Sequence, residues 1–193
     1  LNTPGQNALY TFTGTTGQRV SLKVGANAPT GTVSLVNPSG GALGSANSGV
    51  SASFMEPKTL TAAGTHTIKV DPGAYNTGST TVAAYDVPAD SAGTISVGGA
   101  SVGVSLGTAG QNGTLTFSGT SGQQVTVRLT SNTFGLVTVK LLKPDGNQLT
   151  SSASSAGSFN LAQQTLPTTG TYTVVIDPSI WNTGSITVSV TNP

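Results

Sequence analysis

The sequence predicts an all-β protein made of two tandem antiparallel β-sandwich domains of the immunoglobulin-like or jelly-roll-like kind. An internal repeat and a period-two apolar pattern lead to this prediction. Residues 5–24 are identical to residues 110–129 at ten of twenty positions, and residues 71–82 to residues 177–188 at eight of twelve. The chain of 193 residues therefore contains two copies of one unit.

Within each copy, apolar residues alternate with polar ones, which is the spacing of strands that bury one face. Gly, Pro, Asn and Asp separate these stretches, and no window shows a helical period. We therefore expect the alternating side chains to point into a core between two sheets. In the two copies they are Tyr10 and Phe12 with Leu115 and Phe117; Val20, Leu22 and Val24 with Val125, Val127 and Leu129; Val33 and Leu35 with Val139 and Leu141; Ile68 and Val70 with Val174 and Ile176; and Val82 and Ala84 with Val188 and Val190.

We expect the first sandwich at residues 1–88 and the second at residues 89–193. The second includes a strand-like connector at residues 94–106, which alternates through Ile95, Val97, Val102, Val104 and Leu106. Leu106 aligns with Leu1, so the first copy lacks this leading strand. Either the chain is cut from a longer array, or another chain fills the vacant edge by adding a strand.

The composition excludes several classes of function. Only 7% of the residues are charged and the net charge is +1, whereas nucleic-acid binding needs clustered Lys and Arg. No apolar run approaches the roughly 18 residues of a membrane-spanning helix. The chain has no Cys, which removes thiolate catalysis and disulfides. Its richness in Ser, Thr and Gly suits an extracellular or cell-surface setting.

Three stretches resemble the bacterial pre-peptidase C-terminal family, whose β-sandwich modules occur in secreted enzymes and surface proteins. They are "GQNGTLTFSGTSGQQVTV", the turn "LLKPDGNQL", and "LPTTGTYTVVIDP" with its trailing "TGSITVSV". The resemblance covers nearly the whole chain, twice. It implies a non-catalytic accessory role in spacing, attachment, or binding to polysaccharide or matrix.

The sequence provides poorly for catalysis. The only histidine, His66, aligns with Tyr172, which follows a Gly in the pattern of a tyrosine corner. We therefore interpret His66 as structural. The six acidic residues are scattered, apart from Asp86 and Asp90, and general acid–base chemistry needs a positioned pair. We predict no catalytic residues and no enzyme activity.

A calcium site is one interpretation of Asp71 and Asp177, which are equivalent and each followed by Pro. Calcium takes oxygen ligands from carboxylates and backbone carbonyls, so each copy could hold one ion. The other interpretation, which we favour, is an Asx-turn in which Asp caps its own backbone and no cofactor is bound.

Tyr75 and Trp181 are the candidate carbohydrate-binding residues. Both precede "NTG" in equivalent loops, so each copy places a large aromatic side chain there beside an Asn, Asn76 or Asn182. Aromatic faces stack on sugar rings, but a loop aromatic can equally pack over the end of its own sandwich.

The sequence thus favours a non-catalytic extracellular structural or adhesive module, a spacer or assembly unit of a larger secreted or cell-surface protein. Two alternatives remain. One is a carbohydrate-binding module that uses Tyr75 and Trp181 on polysaccharide or matrix. The other is a subunit that assembles with other copies of itself by strand donation through an open sheet edge.

Overall fold

The computed structural model describes residues 1–192, and in these residues every regular element is a β-strand. The chain divides into two compact units, Leu1–Pro88 and Ala89–Pro193. The all-β prediction and the two antiparallel sandwiches are confirmed. Short strands rich in Val, Thr and Leu, separated by Gly-containing turns, favour this architecture because β-branched residues fit a pleated and half-buried surface.

Unit 1 contains seven strands in two sheets. The first sheet has the order β1-β6-β3-β4 and the second has the order β5-β2-β7. All of the pairings are antiparallel. The strand bounds are β1 Ala8–Gly14, β2 Arg19–Val24, β3 Gly31–Val36, β4 Ala42–Ser48, β5 Ser53–Thr59, β6 Gly64–Pro72 and β7 Val82–Asp86.

Unit 2 repeats this order and adds strands at two edges. Its sheets have the orders β13-β12-β16-β10-β8 and β14-β11-β17-β9, and β15 also pairs with β11. The strand bounds are β8 Ser91–Thr94, β9 Val102–Leu106, β10 Gly113–Gly119, β11 Gln124–Thr130, β12 Val137–Leu142, β13 Gln148–Ser154, β14 Phe159–Asn160, β15 Gln164–Thr165, β16 Gly170–Pro178 and β17 Gly184–Thr191.

The connector before the second repeat forms two strands, where the sequence indicated one. The first, β8, runs parallel to β10, and the second, β9, runs antiparallel to β17 in the other sheet. Parallel neighbours need a crossover connection between them, and here the chain crosses from β8 to β10 by way of β9 in the other sheet. The connector thus closes one side of the unit 2 sandwich, and Ile95, Val104 and Leu106 are buried in its core.

The core of unit 2 contains twice as many buried residues as the core of unit 1. The inward-facing positions of β2, β3 and β6 are buried as their alternation predicts. Two expectations for unit 1 are wrong. Tyr10 is 62% exposed, although its counterpart Leu115 is 2% exposed, and Ala84 in the edge strand β7 is exposed. Both positions lack the cover that β8 and β9 provide in unit 2.

The tyrosine corner is present in unit 2 and altered in unit 1. The hydroxyl of Tyr172 donates to the backbone carbonyl of Thr168 at 2.7 Å and accepts from its N–H at 3.3 Å. In unit 1, His66 is fully buried, and its Nδ1 lies 3.2 Å from the carbonyl oxygen of Gly64. His66 stacks on Phe12 as Tyr172 stacks on Phe117, with ring centroids 5.5 and 5.6 Å apart. His66 is therefore part of the core.

Candidate functional site

Tyr75 lies at the tip of the loop that follows β6, and 86% of its surface is exposed. The Gly73 N–H donates to the carbonyl of Thr30 at 2.9 Å, and the side-chain amide of Asn76 donates to the same carbonyl at 2.9 Å. Ala74 has a φ of 52°, which turns the chain sharply before the aromatic residue. The loop is thus held at its base while the Tyr75 ring faces solvent.

The loop that follows β16 has the same backbone geometry but a different exposure of its aromatic residue. The N–H of Ser179 and the side-chain amide of Asn182 donate to the carbonyl of Leu136, at 3.0 and 3.3 Å. Ile180 has a φ of 62°. Trp181 is half-buried, whereas most of the surface of Tyr75 is exposed.

In both loops the Asn amide is used to fix the loop. Asn76 donates to the carbonyl of Thr30 just before β3, and Asn182 donates to the carbonyl of Leu136 just before β12, so these donors stabilise the fold. Of the four predicted carbohydrate-binding residues, only Tyr75 offers a fully exposed flat surface. A single aromatic face can stack on one sugar ring.

The two candidate calcium ligands lie in strands and form ion pairs. The Asp71 carboxylate is 2.7 Å from Lys69 Nζ, and the Asp177 carboxylate is 3.5 Å from Lys140 Nζ. The favoured Asx-turn is therefore wrong, because β6 and β16 continue through Asp-Pro and place each Asp beside a Lys on the exposed sheet face. Within residues 1–192, no three His, Cys, Asp or Glu side chains come together as metal ligands would.

A feature that the sequence did not locate is a cleft on one side of unit 1. It has a volume of about 500 Å³ and lies between β1 and the segment from Gly78 to Val82. Tyr10, Ile68 and Val82 contribute to its apolar wall. The same side of unit 2 is occupied by β8 and β9.

Leu1 lines this cleft beside Gly78, with which it pairs through its backbone. Its amino group donates to the Gly78 carbonyl at 2.8 Å, and its carbonyl accepts from the Gly78 N–H at 2.8 Å. This doubly bonded pair reproduces the register of Leu106 with Gly184 between β9 and β17. Tyr10 stands where the second copy has the apolar Leu115, but this difference in sequence does not by itself indicate a cleft.

No family model matches the chain, and no curated protein matches it significantly. Solved structures similar to it include the pre-peptidase C-terminal domain of a collagenase from Bacillus anthracis. That likeness has 14% identity and a TM-score of 0.44, over 53% of this chain and 97% of that one. A periplasmic inhibitor of g-type lysozyme from Aeromonas hydrophila has 19% identity and a TM-score of 0.38, over 53% and 99% of the two chains.

The human MASP-1/3 fragment CUB1-EGF-CUB2 is similar over 97% of this chain and 94% of that one, with 9% identity and a TM-score of 0.28. At these identities and TM-scores, the likenesses carry no functional argument. Among residues 1–192, no helix is long and apolar enough to span a membrane.

Proposed function

We propose that this chain is a non-catalytic structural module of a larger secreted or cell-surface protein, in which it acts as a spacer or assembly unit. The observation that carries this proposal is that the side chains best suited to chemistry are used within two compact all-β units: His66 is buried in a core, and Asp71 and Asp177 form ion pairs. The location outside the cell is supported by the low charge and the Ser, Thr and Gly content.

The side chains that catalysis would require are used in the fold. His66 is fully buried against Phe12, so it is inaccessible to a substrate. Asp71, Asp145 and Asp177 each pair with a nearby Lys. These pairs neutralise the carboxylates without a metal ion, which supports a module that works without a cofactor.

A carbohydrate-binding module is the second candidate, and the exposure of Tyr75 favours it. A loop fixed at its base by Gly73 and Asn76 presents the ring with little entropy to lose on binding. In this alternative Tyr75 supplies the stacking face and Trp181 contributes a partly covered one.

Retention on insoluble polysaccharides separates the two candidates. We expect the wild-type chain and the Tyr75→Ala variant to elute together from cellulose, chitin and xylan. Tyr75 is too exposed to support the fold, so the variant keeps its structure and serves as a matched control. Retention of the wild type that is lost in Tyr75→Ala would overturn the structural role in favour of carbohydrate binding.

A further inference from the structure

A second cleft, which we call the unit 2 cleft, opens where the connector leaves the edge of β10. The Ile95 N–H donates to the Thr116 carbonyl at 2.9 Å, which extends the pairing of β8 with β10 by one residue. Two residues later, Val97 already pairs with Val190 in the other sheet. The chain therefore crosses between the sheets at Ser96, and the last part of β10 has no neighbouring strand on that side.

The backbone of Ser118 points into the unit 2 cleft. The N–H and the carbonyl of a strand residue point to the same side, and residues two apart point alike. Ser118 therefore directs both groups toward the connector, as Thr116 does. Within residues 1–192, neither group of Ser118 forms a backbone hydrogen bond with the connector. The cleft thus contains one main-chain donor and one main-chain acceptor side by side.

Side-chain hydroxyls surround these two backbone groups. The unit 2 cleft has a volume of about 470 Å³, and its hydroxyls belong to Thr94, Ser96, Thr116, Ser118 and Thr171. The Thr116 hydroxyl lies 3.5 Å from the carbonyl oxygen of Gly93. In the part of the chain that the structure describes, the other four hydroxyls have no hydrogen-bond partner. The remaining walls are Ile95, Val97 and Phe117, and none of the residues that line the cleft is charged.

These walls favour an uncharged ligand that is rich in hydroxyl groups. An ion would lose its hydration without gaining a partner of opposite charge. An apolar ligand would cover the protein hydroxyls without bonding them, and it would gain little contact from Ile95 and Phe117, which are 6% and 3% exposed. A sugar hydroxyl both donates and accepts, as the hydroxyls of Ser and Thr do. The volume also lies in the range of roughly 300–1,000 Å³ that is usual for small-molecule sites.

Ser118 and Val97 indicate which kind of sugar fits. The adjacent N–H and carbonyl of Ser118 match the carbonyl and N–H of a secondary amide, as in the pairing of two strands. Val97 is half-buried and offers an apolar surface beside the hydroxyls. An acetamido group combines a secondary amide with a methyl group, so it is complementary to both features.

We propose that the unit 2 cleft binds an N-acetylated hexosamine residue of a glycan. The acetamido group pairs with the backbone of Ser118, its methyl group contacts Val97, and the sugar hydroxyls bond those of Thr94 and Thr171. The cleft lies at the opposite end of β16 from the loop of Trp181. This binding goes beyond the proposed structural role and does not depend on it.

The test is an NMR titration of the isotope-labelled full chain with two sugars of the same length and linkage. The probe is the β-1,4-linked trimer of N-acetylglucosamine, and the control is the β-1,4-linked trimer of glucose, which has a hydroxyl in place of each acetamido group. We expect a dissociation constant in the millimolar range for the probe, and binding at least about tenfold weaker for the control. The largest shifts should occur at the amides of Ser96, Val97 and Ser118.

Variants that remove single hydroxyls establish the site. Thr94→Val and Thr171→Val keep a β-branched side chain at exposed positions, so they are compatible with the strands. Each should weaken binding about fivefold, and the two together by more than about tenfold. Thr187→Val is the matched control, because Thr187 belongs to β17 in the other sheet, and it should bind as the wild type does. Unchanged amide signals away from the cleft show that each variant is folded.

Four results would contradict the proposal. They are the absence of shifts with the N-acetylglucosamine trimer at millimolar concentrations, equal affinity for both trimers, affinity that neither Thr94→Val nor Thr171→Val changes, and shifts centred on the loops of Tyr75 or Trp181. Any of these leaves the structural role intact. The polysaccharide experiment depends on Tyr75→Ala instead, so this inference and the proposed function fail separately.

Discussion

Units 1 and 2 are built from the same repeat and differ in how one side of the sandwich is closed. In unit 2 the connector adds β8 and β9 to the two sheets and brings Ile95, Val104 and Leu106 into the core. In unit 1, β1 and β7 remain the end strands of their sheets. The equivalent β1 and β10 positions therefore have very different burial.

The side chains at these positions are larger and more apolar in unit 2, or carry a polar group or less apolar surface in unit 1, in agreement with their exposure. Where the connector covers the sheet, unit 2 has Leu115 and Val190, and where cover is lacking, unit 1 has Tyr10 and Ala84. Tyr places an apolar ring over the cleft while its hydroxyl reaches water. One strand pattern thus forms two different cores, depending on whether further strands cover one side of the sandwich.

The largest expected effect comes from the stacked phenylalanines. Phe117→Ala should destabilise unit 2 by about 3–5 kcal/mol, because the ring is fully enclosed and leaves a cavity. Phe12→Ala should cost unit 1 about 1–2 kcal/mol, since that ring is half-buried and its site can be hydrated. Denaturant-dependent hydrogen exchange of peptides from each unit measures both losses in one experiment.

The exposed neighbours Ser118 and Thr13 provide controls for this pair. Each changed to Ala should alter the stability by less than about 0.5 kcal/mol, as is usual for surface positions. Equal losses of stability for Phe117→Ala and Phe12→Ala would mean that the Phe12 ring is as well shielded from water as the Phe117 ring, which would contradict the open cleft of unit 1.

A smaller effect is expected at the tyrosine corner. Tyr172→Phe removes a hydroxyl that bonds the N–H and the carbonyl of Thr168, and it should cost unit 2 about 1–2 kcal/mol. In unit 1, His66→Tyr would introduce the equivalent hydroxyl, and it should raise the stability of unit 1 by about 1 kcal/mol. Ala62 takes the place of Thr168 there, and its backbone N–H and carbonyl could bond the new hydroxyl as those of Thr168 bond Tyr172. The change would also remove the buried Nε2 of His66, which has no hydrogen-bond partner within residues 1–192.

Thermal unfolding of the two variants, assigned to each unit by hydrogen exchange, checks this pair. A loss of stability in His66→Tyr as large as that in Tyr172→Phe would show that the pocket of unit 1 is shaped for imidazole. The corner would then be a feature of unit 2 alone.

The sequence was sufficient to predict the strands in which apolar residues alternate, such as β2, β3 and β6, because alternation within a few residues determines their faces. Tyr10 was expected in the core, since a period of two identifies a face but not whether another strand covers it. The parallel pairing of β8 and the ion pair of Asp177 with Lys140 were missed for a related reason. Sheet edges and side-chain partners depend on residues far apart in the chain, and local pattern contains no information about them.

In the candidate site, too, some features could be predicted from local sequence and others depend on the fold. The paired loops were recognisable from the repeat, but the difference in exposure between Tyr75 and Trp181 was not. The cleft of unit 1 was not, because its walls come from Tyr10 in β1, Ile68 in β6 and the segment before β7. Only the fold brings these stretches together.

The smallest expected effect is a pH dependence of the turn between β12 and β13. The Asp145 carboxylate accepts a hydrogen bond from Lys143 Nζ and another from the Asn147 N–H, both at 2.9 Å, and these lower the pKa of Asp145 from 3.8 to about 2. A depressed folded-state pKa gives a stabilising contribution that is present above pH 3.8 and is lost as the pH falls through 2. The equivalent turn in unit 1 is held by the amide oxygen of Asn37, which accepts from the Ser39 and Gly41 N–H groups and does not titrate in this range.

Asp145→Asn should therefore flatten part of the loss of unit 2 stability between pH 4 and pH 2, while the profile of unit 1 stays unchanged. Urea midpoints measured for the wild type and the variant at several pH values in this interval provide the comparison, with hydrogen exchange assigning each transition to its unit. Because the carboxylate is exposed, added salt should weaken the wild-type effect. Identical slopes for the two proteins would show that the Lys143 pair contributes nothing to folding, and the charged turn of unit 2 would then be equivalent to the neutral turn of unit 1.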